Sequence, residues 1–302
     1  MNKHLRITVF TVFLALIGGL IYSCTEDTSL DNMSKPIPGQ NEQLEPRYEE
    51  LTDSITSLTN KAILESGCYN YETRASWWKL LKRWCLVVCA DGLAGLLTRD
   101  SDIAGNVSLL TAQLLAYQPF EPSTPEIMSL DRALDQQLLA DSAWARTSLD
   151  NSGYLHNKVL VSLYQIHGDN LLTLSLDEIY ADADSIASNA PAFGIVSPAV
   201  RNEAQSIFAQ VNEVYNNTDT MEDFFEETKT IYPNERQQLN IFEVVMNGFF
   251  QIDLNADNGQ YLNAVMQTIN SSSLPEGDKQ SLRTGISIGH ASAFLWSRQF
   301  FS

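Results

Sequence analysis

The strongest constraint on this chain is the spacing of its apolar residues from position 48 onward, which follows threes and fours and nowhere settles into twos. Val200, Ala204, Ile207, Val211 and Val214 form one stripe; Leu239, Phe242, Val245, Met246 and Phe249 form a second; Leu262, Val265, Met266 and Ile269 form a third. An α-helix turns 100° per residue, so each set falls on one helix face and needs another element to cover it. No sustained apolar–polar alternation appears, nor a hairpin turn between alternating runs, which argues against a sheet. The expectation is an all-α domain over residues 48–302, an irregular bundle of roughly nine or ten helices. Ser197-Pro198 and Thr124-Pro125 place a cap and then proline at a helix's first position. Ser175 with Glu178, and Ser273 with Glu276, have the spacing of a capping box. No fixed repeat points to a solenoid.

The first residues read differently. Lys3 and Arg6 precede an uncharged apolar run from Ile7 to Tyr22, shorter than the roughly 20 residues a membrane-spanning helix needs. A basic start and a brief apolar run make an export leader, residues 1–23, rather than a fold element. The run ends in Ile21-Tyr22-Ser23-Cys24, which resembles the bacterial lipobox. The resemblance implies cleavage before Cys24, a diacylglyceryl group on its sulfur and acylation of the new amino terminus. Several acyl chains at about 0.8 kcal/mol per buried methylene hold a protein stably to a membrane. The alternative is an uncleaved anchor with Cys24 just outside it.

Residues 24–47 carry Pro36, Pro38, Gly39 and Pro46 among polar residues without a helical or strand period, so they read as a flexible tether. The chain has 19 Lys and Arg against 37 Asp and Glu, a formal charge of −18. Loss of Lys3 and Arg6 with the leader makes that −20. Such a surface repels phosphate backbones and anionic lipid, which excludes nucleic acid as a natural partner and leaves membrane attachment to the lipid. Apolar residues at 44% are ample for a packed core.

Thr25-Glu26-Asp27 directly after Cys24 resembles the acidic export signal of Bacteroidetes lipoproteins displayed on the cell surface. Asp53-Ser54-Ile55, Asp141-Ser142-Ala143, Asp184-Ser185-Ile186 and Asp219-Thr220-Met221 match the Asp-Ser/Thr-apolar pattern at which Bacteroides O-glycosylates exported proteins. These resemblances imply an outer-membrane lipoprotein on the periplasmic face or the cell surface.

Residues 74–98 stand out. Trp77, Trp78 and Trp84 fall close together, Lys79, Lys82 and Arg83 share a sector near the start, and the rest is apolar nearly all round. That is the pattern of a central helix, wet at its first turns and enclosed afterwards. A second reading makes Trp77, Trp78, Lys82 and Arg83 a cationic, Trp-rich patch for carbohydrate or a membrane interface. Cys85 and Cys89 lie four apart, a poor geometry for bridging each other. Cys68 pairs with one of them or all three stay thiols.

Asp91 sits in the apolar sector of that helix, where a carboxylate needs a partner. His156 lies in the apolar arc of Leu155, Val159, Leu163 and Ile166. His167 is roughly 16 Å further along the same helix, too far to share a ligand. His290 flanks a small-residue face of Gly285, Gly289, Ser292 and Ala293 that would let Ala90, Ala94 and Gly95 approach closely, bringing Asp91 towards His290. One reading is a hydrolase or metal-dependent site built on Asp91, His156 and His290. The other is a buried hydrogen-bonded cluster that fixes helix register. No HExxH, nucleophile elbow or phosphate loop accompanies the three, so no catalytic or metal-ligating role is assigned and no cofactor is implied.

Gly153-x-x-His156-Asn157, which adds Asn157 as a candidate binding residue, and Ala90-Asp91-Gly92-Leu93-Ala94-Gly95 together resemble a group of Bacteroidetes lipoproteins and secreted proteins without an established activity. Cys89 and Leu93 depart from the small residues usual around that Asp. The resemblance implies lineage and export. The functional expectation is a binding or structural module of the cell envelope, with the Cys24 lipid as its membrane contact and a protein or glycan as partner.

Overall fold

The computed structural model describes residues 45–65, 74–117, 149–175, 178–179, 198–252 and 259–300. Contacts divide the chain into Met1–Gln43 and Leu44–Ser302, and all described residues belong to the second unit. They form nine α-helices and two short 3-10 turns, with no strand among them. The all-α expectation holds. In chain order the helices are α1 (Pro46–Glu65), α2 (Arg74–Thr98), α3 (Ser101–Tyr117), α4 (Ser152–His167), α5 (Pro198–Asn217), α6 (Met221–Ile231), α7 (Arg236–Phe249), α8 (Gly259–Ser271) and α9 (Glu276–Phe300). Among the described residues no helix is long and apolar enough to cross a membrane.

Each stripe read from spacing is a buried face. Ala204, Ile207, Val211 and Val214 line α5, and the sets on α7 and α8 are closed to solvent along their length. Helix starts were legible where the missing N–H of proline matters. α5 opens at Pro198 as its Ser-Pro step predicts, and α1 opens at Pro46, a residue the composition assigns to the tether. The Ser175–Glu178 box forms: Glu178 Oε2 accepts from Ser175 N at 2.8 Å, and Ser175 Oγ accepts from Glu178 N at 3.3 Å. The Ser273–Glu276 box does not. The helix begins at Glu276, so Ser273 is not at its cap, and Glu276 accepts from Arg283 Nη2 at 2.7 Å, two turns further along the same face.

The α6 N-terminus shows capping in its plainest form. Thr220 sits in extended backbone and its Oγ1 accepts from Asp223 N at 3.0 Å. Thr220→Ala removes that acceptor and strands one amide, so it is expected to lower unfolding free energy by about 1 kcal/mol in a denaturant titration. A change under a few tenths would mean water serves the amide equally well.

Two helices organise the interior. α2 is buried continuously from Leu86 to Leu96, and α9 is buried at every position from Ser281 to Ala293. They pack on each other more extensively than any other pair and run antiparallel: Asp91 meets Ser292 at one end, while Arg99 Nε donates to Ser281 Oγ at 2.7 Å at the other. Small residues make the approach possible. A Cβ added at Gly285 would stand 2.6 Å from Leu96 Cβ and 2.8 Å from Gly92 O, closer than atoms tolerate. The small-face pairing of these two helices expected from sequence is therefore present. Arg99 closes α2 with φ of 60°, the left-handed conformation that usually falls to glycine.

α4 lies along α9 in parallel. Thr284 Oγ1 donates to Asp150 Oδ2 at 3.3 Å, Gly153 N donates to Ser287 Oγ at 3.0 Å, and Asn157 Nδ2 donates to the Ala291 carbonyl at 3.1 Å. Each pair is separated by 134 residues. The two helices therefore keep one register across successive turns, set by polar bonds rather than by apolar fit alone.

Candidate functional site

The ladder between α4 and α9 brings His156 against α2. Its Nε2 lies 3.4 Å from Asp91 Oδ2, and both side chains have zero solvent exposure. Ser292 Oγ donates to the same Asp91 oxygen at 2.6 Å. On the other edge of the ring, His156 Nδ1 is 2.9 Å from Asn157 Oδ1. Thus α2, α4 and α9 are joined at one point by four side chains, Asp91, His156, Asn157 and Ser292, all fully buried. Asp91 Oδ1 and His156 Nε2, also buried, have no hydrogen-bond partner, so the ring meets the carboxylate by proximity alone.

Of the three groups singled out in sequence, Asp91 and His156 converge and His290 does not join them. His290 packs its ring against Phe249, with centroids 4.3 Å apart. Burial holds it neutral, its pKa lowered to about 3. The expectation that close α2–α9 packing would bring Asp91 to His290 is corrected here. The packing is as expected, but the Asp91 carboxylate turns towards α4 and meets the histidine of a third helix.

Chemically the cluster lacks the arrangement for nucleophilic catalysis. Ser292 donates to Asp91 rather than to His156, so the hydroxyl–imidazole–carboxylate order of a triad is not formed. Asp91, His156, Asn157, His290 and Ser292 are all closed to solvent, so a substrate has no route to the pair in this conformation. Among the described residues no group of three or more His, Cys, Asp or Glu side chains is placed to hold a metal ion.

Asn157, a candidate binding residue, spends its amide on His156 and the Ala291 carbonyl. Trp77, Trp78, Lys82 and Arg83 lie on the first half of α2; their side chains are outside the described residues, as is that of Cys85, and Cys24 and Cys68 lie outside them as a whole. Cys89 is a buried free thiol, so the pairing of Cys68 with Cys89 is not made. Burial pushes its pKa up, helped by the neighbouring Asp91 charge. Asp53-Ser54-Ile55 lies within α1 with Ser54 exposed, and Asp219-Thr220-Met221 straddles the α6 cap. The two other tripeptides of that pattern lie outside the described residues.

Sequence reasoning missed two features. Ser292 registered only as a small residue, although a hydroxyl one turn from Ile288 on a fully enclosed helix needs a bond. Lys229 is nearly closed to solvent, yet its ammonium holds Glu226 at 2.8 Å and Glu243 at 2.7 Å. The signal was available in Glu226, three positions earlier on the same helix face.

No protein-family model, curated protein or solved structure matches this chain.

Proposed function

We propose that this chain is a lipid-anchored protein of the bacterial cell envelope, an outer-membrane lipoprotein on the periplasmic face or the cell surface. Its all-helical domain is a binding or structural module carried on the 24–47 tether, with a protein or glycan as partner. The anchor rests on the basic start, the brief apolar run and the Ile21-Tyr22-Ser23-Cys24 lipobox. One observation carries the module reading: the polar residues that looked most like machinery are sealed in the interior, where their bonds set the register of three helices. A cluster so placed gives a scaffold one rigid arrangement, which a display module requires.

The anchor is testable directly. Cells expressing the chain and fed a clickable palmitate analogue are expected to label it, and the labelled protein should sediment with membranes. Cys24→Ser should abolish the label and move the protein out of the membrane fraction. A wild-type product without acyl label, or equal labelling of the serine variant, would overturn the assignment. Protease treatment of intact cells then separates the two faces: digestion places the domain outside, protection places it in the periplasm.

A further inference from the structure

α6 is fastened differently from the other helices. Its exposed residues are Glu222, Asp223, Glu226, Glu227, Thr230 and Ile231, and only Phe224, Phe225, Thr228 and Lys229 are buried. Thr228 spends its hydroxyl inside the helix, on the Phe224 carbonyl at 2.7 Å. Two rings and one lysine, with Met221 half-buried at the first position, therefore hold α6 in place. Phe225 meets Phe224 and the Phe242 ring of α7 edge-on, with centroids 5.5 and 6.0 Å away. The Lys229 ammonium bonds Glu243 of α7 at 2.7 Å. Its second bond, to Glu226 at 2.8 Å, stays within α6.

Among the described residues, α6 packs chiefly on α5 before it, α7 after it and the 3-10 turn Pro233–Glu235 in between. Those two helices have anchors of their own: α5 lies on α3 and α2, and α7 lies on α1 and α9. Release of α6 thus breaks few contacts between distant parts of the chain, the pattern of a segment that opens by itself. A pivot is present too. α6 ends at Tyr232 with φ −116° and ψ 67°, outside the helical region, and Pro233 follows. The Tyr232 hydroxyl donates to Gln210 Oε1 of α5, which keeps that end in place.

We infer that α6 is a flap latched by the Lys229–Glu243 pair: it lifts off Phe242 while α2, α4 and α9 stay folded. A Cβ added at Gly92 would stand 2.5 Å from Phe242 Cζ, so the ring beneath the flap backs directly on to α2 at the residue next to Asp91. Phe224, Phe225 and Phe242 are the surface the open state bares. The flap is a property of the fold and stands apart from the lipid anchor and the module reading.

The latch is weak when intact and costly to break by halves. Burial raises the Glu243 pKa despite the Lys229 bond that lowers it, so the pair gains little beyond its own desolvation. Removal of one partner is a different matter, because the other is left charged in a nearly closed site. Glu226 cannot stand in for Glu243. More than half of its side chain is exposed, and it rides on α6 itself, so its bond to Lys229 survives opening.

Hydrogen exchange of the full chain, read peptide by peptide in a mass spectrometer, tests the flap. In the wild type the amides of Met221–Ile231 should exchange ahead of those in residues 86–96 and 281–293. Glu243→Gln should speed α6 exchange by about a hundredfold and leave the other two segments unchanged. Glu226→Gln should alter it by less than about threefold. Lys229→Met combined with Glu243→Met replaces the pair by apolar side chains and should restore wild-type protection or exceed it. Simultaneous exchange of all three segments in the wild type overturns the inference. So does a Glu243→Gln protein that exchanges faster everywhere or fails to fold, since α6 would then not be a separate unit. Equal effects of Glu243→Gln and Glu226→Gln, or a double variant no better protected than Glu243→Gln, would show that the pair is not the latch.

Discussion

His156→Ala is expected to be among the most damaging single substitutions in this protein, lowering unfolding free energy by about 3–5 kcal/mol. The change does more than open a cavity. It removes the imidazole 3.4 Å from Asp91 and leaves the carboxylate fully buried, with Ser292 as its one hydrogen-bond donor among the described residues and Oδ1 still bare. It also strands Asn157 Oδ1, which now faces Nδ1. For a domain of this size each kcal/mol is worth roughly 2–4 °C, so the melting temperature should fall by about 10 °C. A double substitution distinguishes charge from volume. If the stranded carboxylate dominates, adding Asp91→Ala to His156→Ala should cost far less than Asp91→Ala alone, because it removes the unpaired charge. If lost packing dominates, the two costs should add. A His156→Ala protein within 1 kcal/mol of wild type would mean that water reaches Asp91 freely, contrary to its burial.

What could be read from the sequence, and what could not, divides along a physical line. Faces were legible, because a face depends only on residues of one helix: the stripes of α5, α7 and α8, the enclosed half of α2, and the small-residue side of α9. Partners were less so, because a partner depends on where a different helix lies. Both His156 and His290 lie on buried faces, and nothing local distinguishes them as mates for Asp91. The deciding feature is the register of α4 on α9, fixed by Asp150 with Thr284, Gly153 with Ser287 and Asn157 with Ala291. Gly153 and Asn157 were noticeable as a compact motif with His156, and that motif is the reason α4 can come close enough to deliver the ring. Lys229 was overlooked for a related reason. Spacing shows its neighbour Glu226 on the same helix, whereas its second carboxylate, Glu243, arrives from α7. The leader and tether are a different case, since their reading rests on composition and a processing motif rather than on packing.

Gly153→Ala should cause the other large loss, by a route that involves no charge. A Cβ at Gly153 would stand 2.3 Å from the Ser287 carbonyl oxygen and 2.8 Å from its carbon. Those are backbone atoms of α9, and α9 cannot retreat, since its opposite side is pressed on α2 through Gly285 and Leu96. So α4 must move instead. A shift of about 1 Å breaks the Gly153–Ser287 bond, stretches Asn157 away from Ala291, and takes His156 beyond ion-pair range of Asp91. Overpacking in a tight core costs about 1–3 kcal/mol on its own; with the polar ladder lost, the expected total is about 4 kcal/mol. The internal comparison is Gly105→Ala on α3, where the new Cβ would meet the movable Val159 Cγ1 at 3.4 Å, an ordinary contact. Gly105 lies in a helix interior, where alanine brings a propensity gain of up to about 1 kcal/mol, while Gly153 is the second residue of α4, where the gain is smaller. Gly105→Ala should therefore be neutral or slightly stabilising, and the difference between the two variants isolates the approach of α4 to α9. Equal denaturation midpoints for the two would show that these helices are not in backbone contact, and with that the placement of His156 against Asp91 would fail.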